Sequence, residues 1–291
     1  MKSNSPAIKL FLVVAFSCTS LLVSLTPLLA KPRVGSSLSD ALLYERLRQR
    51  QAQGKTYGGL RLRSDPKKTL AQATTFNLPP LPPGSAPGGR VRGGAKRGGC
   101  LVAKPDLTAL APFSQEANSV INVWGKTMVD HPSWFFYVPY TKDLPYEVEF
   151  VLQDQDSNQI YEKAIALPDK PGVIRVSLPP TAPALAVDKQ YHWFFTINCD
   201  KEKNSPPTFL EGVIQRVQLN PTIVKELQTT EPLKRYAIYA QNGIWYEALT
   251  ILAQLRQNNP QDAALQAEWR NLLSSIRLDD IAAEPILSDK P

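Results

Sequence analysis

The chain divides into three stretches of different charge and composition, and this division limits which part can form a folded core. Residues 1–30 are an apolar leader of charge +2, residues 31–99 are rich in Gly and Pro and carry +11, and residues 100–291 carry −6. Apolar residues recur with a regular period mainly in the last stretch, so we expect the core there. A basic stretch on an acidic body predicts contact with an anionic surface or polymer.

The leader has the layout of a secretory signal peptide. Lys2 and Lys9 precede an apolar run that ends at Ala30. The run is about 20 residues long, so an uncleaved membrane anchor is the alternative. A retained anchor would place the basic residues 31–99 on the outer side, against the positive-inside tendency. We therefore expect cleavage of residues 1–30 and export to the periplasm or the cell surface.

Export determines how the cysteines are interpreted. Cleavage removes Cys18 and leaves Cys100 and Cys199. Two cysteines in an oxidising compartment usually pair, so we predict a disulfide. Closing a loop of about 100 residues stabilises a fold by up to about 4–5 kcal/mol in the chain-entropy description. The alternative, a reactive thiol, requires an environment that lowers its pKa.

Residues 31–99 are predicted to be a disordered basic tail and linker. Within them, Ser39–Gln53 predicts a short basic amphipathic helix, either marginal or docked on an anionic surface. Residues 78–84 predict stiff polyproline II, and residues 88–99 a flexible basic coil. Arg-Gly-Gly occurs twice in this coil. Without interleaved aromatic residues, and behind an export signal, these repeats do not predict nucleic-acid binding.

Residues 100–220 are the predicted sheet domain, and from about Ser119 to Leu219 they alternate with a period of two, which is typical of strands with one buried face. Seven short strands separated by turn residues predict an antiparallel β-sandwich. The predicted strands are 120–124, 133–138, 146–152, 159–167, 173–178, 191–199 and 209–219.

One local spacing bears on the type of sandwich. Leu185 lies six residues before Tyr191, which opens a predicted strand. This spacing resembles the tyrosine corner of fibronectin-type and related sandwiches, in which the tyrosine hydroxyl bonds back to the preceding connection. The resemblance implies an immunoglobulin-like fold.

Residues 221–291 have a helical period and predict a small α-helical hairpin module. The segment resembles one tetratricopeptide unit, with Gly243 ending the first helix, Trp245 between the helices and Ala248 allowing their close approach. Solenoids need about three repeats for stability. We therefore expect the single unit to pack on the sandwich, with Trp245 and Trp269 in the core. The predicted helices are 236–242, a helix after Gly243 that ends before Pro260, and 263–276.

From about residue 88 onward the chain resembles a cyanobacterial family known as domain of unknown function 928. The resemblance covers roughly two thirds of the chain and implies an exported protein of a photosynthetic bacterium, without an activity. The matching segments are Gly98–Cys100, Thr108–Leu110, Trp134–Tyr140, Glu149–Asp154, Tyr191–Trp193, Cys199–Asp200, Glu211–Gly212 and Gly243–Leu249.

One segment begins like a calcium loop. Asp154–Asn158 carries alternating oxygen ligands, but such a loop then needs Gly at position 159 and an acid at position 165. The chain has Gln159 and Ile165 there. We therefore predict a hairpin turn and no metal site.

The remaining polar candidates do not form a catalytic set. Glu147 and Glu149 share one strand face, as glycosidase carboxylates can, but charged residues opposite an apolar face are usually its solvated side. His131 and His192 are the two histidines, and each is expected to be structural. With the cysteines paired, no nucleophile, metal or cofactor constellation is supported.

The densest aromatic cluster lies in Trp134–Val138, which continues to Tyr140. On a period of two, Trp134 and Phe136 face one way and Phe135 and Tyr137 the other. One face fills the core, and the other is either covered by the helical module or exposed as a binding patch. The predicted interaction surface consists of Phe135, Tyr137, Tyr140, Trp245 and Tyr246.

These observations predict an exported, non-enzymatic envelope protein that acts as an adaptor or assembly factor. Its expected partner is an envelope protein or an anionic surface polymer. The alternative is a polysaccharide-binding module or a glycan-active enzyme of the envelope. In a third interpretation the basic tail is an electrostatic anchor with peripheral membrane contact.

Overall fold

The computed structural model describes residues 74–82, 87–93, 100–116, 119–200, 202 and 204–288. The predicted leader, its cut site and the predicted helix Ser39–Gln53 lie outside these residues. The chain divides into the units Met1–Pro66 and Lys67–Pro291, and every described residue belongs to the second. In this part, no helix combines the length and apolar character needed to cross a bilayer.

The described residues form ten strands in two sheets. The four-stranded sheet has the order β1-β2-β5-β8, and the six-stranded sheet has the order β3-β4-β10-β9-β6-β7. Neighbouring strands are antiparallel except for the parallel pair of β4 and β10. The strands are β1 (Arg92–Gly93), β2 (Leu107–Ala109), β3 (Phe113–Gln115), β4 (Ile121–Thr127), β5 (Ser133–Val138), β6 (Glu147–Gln153), β7 (Gln159–Ile165), β8 (Gly172–Ser177), β9 (Gln190–Asn198) and β10 (Thr208–Arg216).

All seven predicted strands are present as β4 to β10, with ends shifted by a few residues. The strands β1, β2 and β3 were missed because two or three residues are too few to show an alternation.

An aromatic core joins the two sheets face to face. Phe136 of β5 stacks on Phe195 of β9, with ring centroids 4.2 Å apart. Trp134 lies beside Phe150 of β6 at 4.8 Å. The predicted inward alternation of β6 is confirmed, because Val148, Phe150 and Leu152 are all buried.

The predicted tyrosine hydrogen bond is present. Tyr191, near the start of β9, accepts a hydrogen bond at its hydroxyl from the backbone N–H of Ala186 at 2.8 Å. Leu185 is fully buried beside this bond, and its carbonyl accepts from Arg216 Nη1 at 2.5 Å. The connection before β9 is therefore held to the sheet from two sides.

Four α-helices follow the strands. They are α1 (Pro221–Thr229), α2 (Pro232–Gln241), α3 (Trp245–Asn258) and α4 (Ala263–Ser274), followed by a 3₁₀ turn at Asp279–Ile281. Asp262 caps α4 by accepting from the N–H groups of Ala264 and Leu265. Gly243, with φ of +70°, makes the turn between α2 and α3, as the helical pattern predicted.

The helix α3 packs against the sheets and shares their core. The indole N–H of Trp245 donates to the carbonyl of Leu110 at 2.8 Å. The Tyr246 ring lies over Gly125 of β4, where a Cβ atom would approach it to 3.1 Å. The helical unit packs on the sheets, and the buried residues on both sides of residue 220 belong to one core.

The predicted linker, residues 31–99, includes residues that belong to the folded core. Phe76 is 6% exposed and packs edge-on against Trp245, with ring centroids 4.9 Å apart. Arg92 of β1 makes two bonds to the Asp280 carboxylate, at 2.7 and 2.8 Å. This ion pair holds the pKa of Asp280 below its usual value. The interpretation as linker is therefore wrong for residues 74–82 and 87–93, because isolated apolar residues between Pro and Gly show no period that would reveal their burial.

Replacing Phe76 by Ala should lower the free energy of unfolding by about 3 kcal/mol, the usual loss for a buried aromatic ring. The matched control Leu78→Ala, at an exposed side chain, should lower it by less than about 0.5 kcal/mol. Urea unfolding of the full chain measures both. Equal effects of the two variants would show that Phe76 is not part of the core.

A buried carboxyl group lies where α3 meets β4. Glu247 Oε1 accepts from the Thr127 hydroxyl at 2.5 Å and from the N–H groups of Met128 and Val129 at 3.2 and 3.3 Å. Its Oε2 is buried without a hydrogen-bond partner. Burial raises the pKa of Glu247 and outweighs the three donors, which lower it.

The protonated form of Glu247 therefore stabilises the fold. Because its folded-state pKa lies above the unfolded value of about 4.3, this contribution is complete below that pH and is lost as the pH rises through the folded-state pKa. In Glu247→Gln this decline in the free energy of unfolding should be absent. The exposed control Glu226→Gln should keep the wild-type profile. Urea unfolding between pH 4 and 9 measures this decline. If the decline persisted in both variants, Glu247 would not be its cause.

Candidate interaction site

The predicted interaction surface is buried. Its five residues, Phe135, Tyr137, Tyr140, Trp245 and Tyr246, are each at most 3% exposed. They therefore do not form an exposed patch, and of the two alternatives for the aromatic cluster the covered one is correct. The sequence could not decide between them, because covering depends on segments far away in the chain.

Several segments cover these rings. Tyr246 contacts Trp134 between the sheets, with ring centroids 6.0 Å apart. Tyr140 donates its hydroxyl hydrogen to the carbonyl of Leu101 at 3.0 Å, and burial raises its pKa to about 12. Burial and the nearby Glu284 carboxylate raise the pKa of Tyr137. The covering segments are thus α3, the residues after Cys100 and the C-terminal segment.

An open groove of about 560 Å³ lies at the end of the β6–β7 hairpin, where the chain enters β6 and leaves β7. Seven of the eleven residues that line it are apolar, and its polar side chains are Lys142, Glu147, Glu149 and Asn198. The apolar lining residues are Leu144, Tyr146, Val148, Ala164, Ile165, Ala166 and Leu167.

The pairing of β6 with β7 brings the two sides of the groove together. Val148 of β6 lies opposite Ile165 of β7, and directly opposite residues share a sheet face. The loop before β6 is held by the bond from the Leu144 N–H to the Thr141 carbonyl at 3.0 Å. The bond from the Lys142 N–H to the Pro168 carbonyl, at 2.9 Å, ties the loop to the chain that leaves β7.

The rim of the groove is acidic. Glu147 is exposed and Glu149 is half-buried, and both line the groove. The cation at the rim, Lys142, forms an ion pair with Asp169 at 2.7 Å, and this pair raises the pKa of Lys142. Glu147 and Glu149 add two carboxylates to the described lining beside this ion pair.

The predicted disulfide is confirmed and holds an apolar segment beside the groove. Cys100 and Cys199 are bonded, with their Cα atoms 4.9 Å apart. The backbone N–H of Leu101 donates to the hydroxyl of Tyr146, which lines the groove. Among the large apolar side chains that the structure describes, Val102 at 77% and Leu101 at 58% are the most exposed. The groove, Leu101 and Val102 together form the candidate site, called the disulfide-end groove below.

Sequence reasoning missed the apolar residues of this site. Leu101 and Val102 belong to no strand or helix, so no period marks them. Their position directly after Cys100 was the available signal, because a disulfide restricts the neighbouring residues. Glu147 and Glu149 were noted in the sequence, but as the solvated side of a strand, and the structure places them at the groove rim.

The edge of the six-stranded sheet offers a different kind of surface. The outer strand β7 pairs with β6 on one side, and Lys163 of β7 lies opposite the inward-facing Phe150. A charged residue on the inner face of an edge strand disfavours the addition of another strand. The groove is therefore a better candidate for a binding site than the exposed edge of β7.

The other polar candidates have structural partners. His131 bonds through its two ring nitrogens to the Asp130 carboxylate at 3.0 Å and to the Ala182 carbonyl at 3.1 Å. Bonds to the Ala182 carbonyl and to Asp130 raise its pKa. Asp154 accepts from the N–H groups of Asp156 and Asn158, as in a hairpin turn. The described residues contain no group of His, Cys, Asp and Glu side chains able to hold a metal ion.

Comparison with known proteins places the chain in a family. The model of the Domain of Unknown Function (DUF928) family matches residues 92–286. The chain belongs to the DUF928 family. The matched range begins at β1, before the predicted boundary at residue 100, and ends at Ile286, which forms a parallel bridge with Val173.

Comparisons with proteins outside the family assign no fold and no activity to the chain. Curated proteins include no match for the chain. Two solved structures of Parabacteroides merdae β-glucuronidase, one with glycerol in its active site, are 13% and 12% identical, with TM-scores of 0.21 and 0.20. They cover 60% of this chain and 33% and 32% of the enzyme chain, so the chain spans about a third of their length. Similarity this low assigns neither a fold nor an activity.

Replacing Cys100 and Cys199 together by Ser should lower the free energy of unfolding by about 2–5 kcal/mol, because the unfolded chain loses a long closed loop. It should also release Leu101 and Val102 from the groove, which amide hydrogen exchange of residues 100–102 would report as faster exchange. Unchanged exchange there would show that hydrogen bonds alone hold this segment.

Proposed function

We propose that this DUF928 protein is an exported, non-enzymatic adaptor of the cell envelope that binds another protein through the disulfide-end groove. The observation that carries the proposal is the combination of a groove with apolar lining residues, two glutamates at its rim and two exposed apolar side chains at one end of the fold. This combination fits an apolar segment of a partner that also carries basic residues. The aromatic faces are buried and so cannot serve this purpose.

The energetics favour an apolar contact. Burying a Val or Leu side chain fully is worth about 1.5–3 kcal/mol. Leu101 and Val102 are exposed in the free chain and gain this energy only when a partner covers them. The disulfide and the Tyr140 and Tyr146 hydroxyls hold their backbone, which reduces the conformational entropy that binding would remove.

The finer fold assignment and the location belong to the same proposal. The parallel β4–β10 pair, the tyrosine bond of Tyr191 and the two facing sheets support an immunoglobulin-like sandwich. The turn at Gly243 and the close approach of α2 and α3 support a single tetratricopeptide-like unit. The disulfide supports export to the periplasm or cell surface, and the family resemblance supports a cyanobacterial origin.

Polysaccharide binding is the second candidate. Tyr146, Asn198 and the two glutamates line one groove, and an aromatic ring beside hydrogen-bonding groups is suited to a sugar. This candidate predicts binding of envelope polysaccharide by the purified chain. If Glu147→Gln or Glu149→Gln abolished turnover of such a polymer, the protein would be a glycan-active enzyme and the adaptor proposal would fail.

The adaptor proposal is tested by crosslinked pull-down from envelope extract with the full chain as bait. The groove variant combines Leu101→Arg with Val102→Arg, both at exposed side chains. The matched control is Leu233→Arg, at a leucine of α2 that is 44% exposed. We expect one defined protein with the wild type and the control, and at least about tenfold less with the groove variant, the effect of losing about 1.4 kcal/mol. Equal recovery with all three baits would overturn the proposal.

A further inference from the structure

The proline-rich segment has a burial pattern with a period of three. Phe76 is buried, Pro79 is half-buried and Pro82 is buried. Leu78, 47% exposed, and Leu81, 37% exposed, face solvent. A polyproline II helix has three residues per turn, so residues three apart lie along one edge. One edge of this segment therefore faces the protein, and the others are presented to solvent.

The helical hairpin holds this segment in place. Asn77 donates its backbone N–H to the Ala240 carbonyl at 3.0 Å and its side-chain amide to the Gln241 carbonyl at 2.6 Å. These carbonyls belong to the last turn of α2, where the helix supplies fewer N–H donors than in its interior, and the Ala240 carbonyl also accepts from the Gly243 N–H at 3.1 Å. At Gly243 a Cβ atom would come within 2.9 Å of the Asn77 carbonyl, so glycine permits the close approach.

The exposed residues Leu78, Pro80 and Leu81 form what we call the proline ridge. Polyproline II ligands bind grooves lined by aromatic rings, and they bind well because the extended helix is already formed. Here the contacts of Asn77 with α2 and of Phe76 with Trp245 hold the segment, which lowers the conformational entropy lost on binding. The ridge is therefore a rigid ligand displayed on the surface of the fold.

Charge narrows the choice of partner. Lys67 and Lys68 precede the ridge in the chain and Arg90 follows it, while residues 69–89 contain no acidic residue. This excess of basic residues in the sequence speeds the encounter with a partner whose aromatic groove is bordered by acidic residues, because exposed opposite charges attract.

We propose that the proline ridge is a second binding surface, separate from the disulfide-end groove, for a protein whose groove is lined by Trp or Tyr rings and bordered by acidic residues. Leu78 and Leu81 enter that groove, and Pro80 packs on the rings between them. This surface would let the chain connect two partners, one at each site.

The first experiment places the photoreactive residue p-benzoylphenylalanine at position 78 or 81 of the full chain, expressed in the organism that makes it. The control carries the same residue at position 233, an exposed leucine of α2 away from the ridge. The protein captured is then purified and titrated with the full chain and with a synthetic peptide of residues 74–82, with its tryptophan fluorescence as the signal.

We expect one protein to crosslink from positions 78 and 81 and not from 233. The full chain should bind it at least about tenfold more tightly than the peptide does, since the peptide must be ordered on binding. Combining Leu78→Ala with Leu81→Ala should weaken binding at least about tenfold, and the groove variant should bind as the wild type. Unchanged binding by the groove variant separates the ridge proposal from the groove proposal, so that either proposal can fail while the other stands.

Four results would overturn the proposal. One is capture of the same protein from position 233. Another is a crosslink to a second copy of this chain, to lipid or to polysaccharide in place of a partner protein. The third is binding that the double alanine variant leaves unchanged. The fourth is a peptide that binds as tightly as the full chain, which would show that the fold does not hold the ridge ready.

Discussion

The contacts of Trp245 are the interaction on which the rest of the structure depends. This side chain is completely buried, donates its indole N–H to Leu110 beside β2 and receives the edge of Phe76. One residue at the start of α3 therefore joins the sheets, the helices and the N-terminal segment. Because three parts of the chain meet there, the helical hairpin is a component of the same core as the sheets.

This shared core explains where the free surface lies. With α3 packed against the sheets and the segments near Leu101 and Glu284 on the other side, the aromatic residues of β5 are covered on both faces. Some large apolar side chains remain exposed where a disulfide or hydrogen bonds hold the chain and no other segment covers it. The groove end and the proline segment are such places, and both are held by distant parts of the chain.

The two proposed surfaces share a physical principle. At the groove, the disulfide and two tyrosine hydroxyls restrain Leu101 and Val102, and at the ridge Phe76 and Asn77 hold the leucines outward. In each case the fold orders an exposed apolar segment before any partner arrives, which lowers the entropy lost on binding. A chain with two such surfaces is suited to connecting partners, and polar groups such as Glu247 and His131 are hydrogen-bonded within the fold.

The amino-acid sequence alone determined the seven longer strands, the helices around Gly243, the disulfide and the tyrosine hydrogen bond. These features depend on local alternation, turn residues and the number of cysteines, which can be read over a few neighbouring residues. Only the tertiary structure decided that Phe135 and Tyr137 are covered, that Phe76 belongs to the core and that Leu101, Val102, Leu78 and Leu81 stay exposed. Burial is set by contacts between segments far apart in the chain, such as that of Phe76 with Trp245, and no local pattern records which distant segment will arrive.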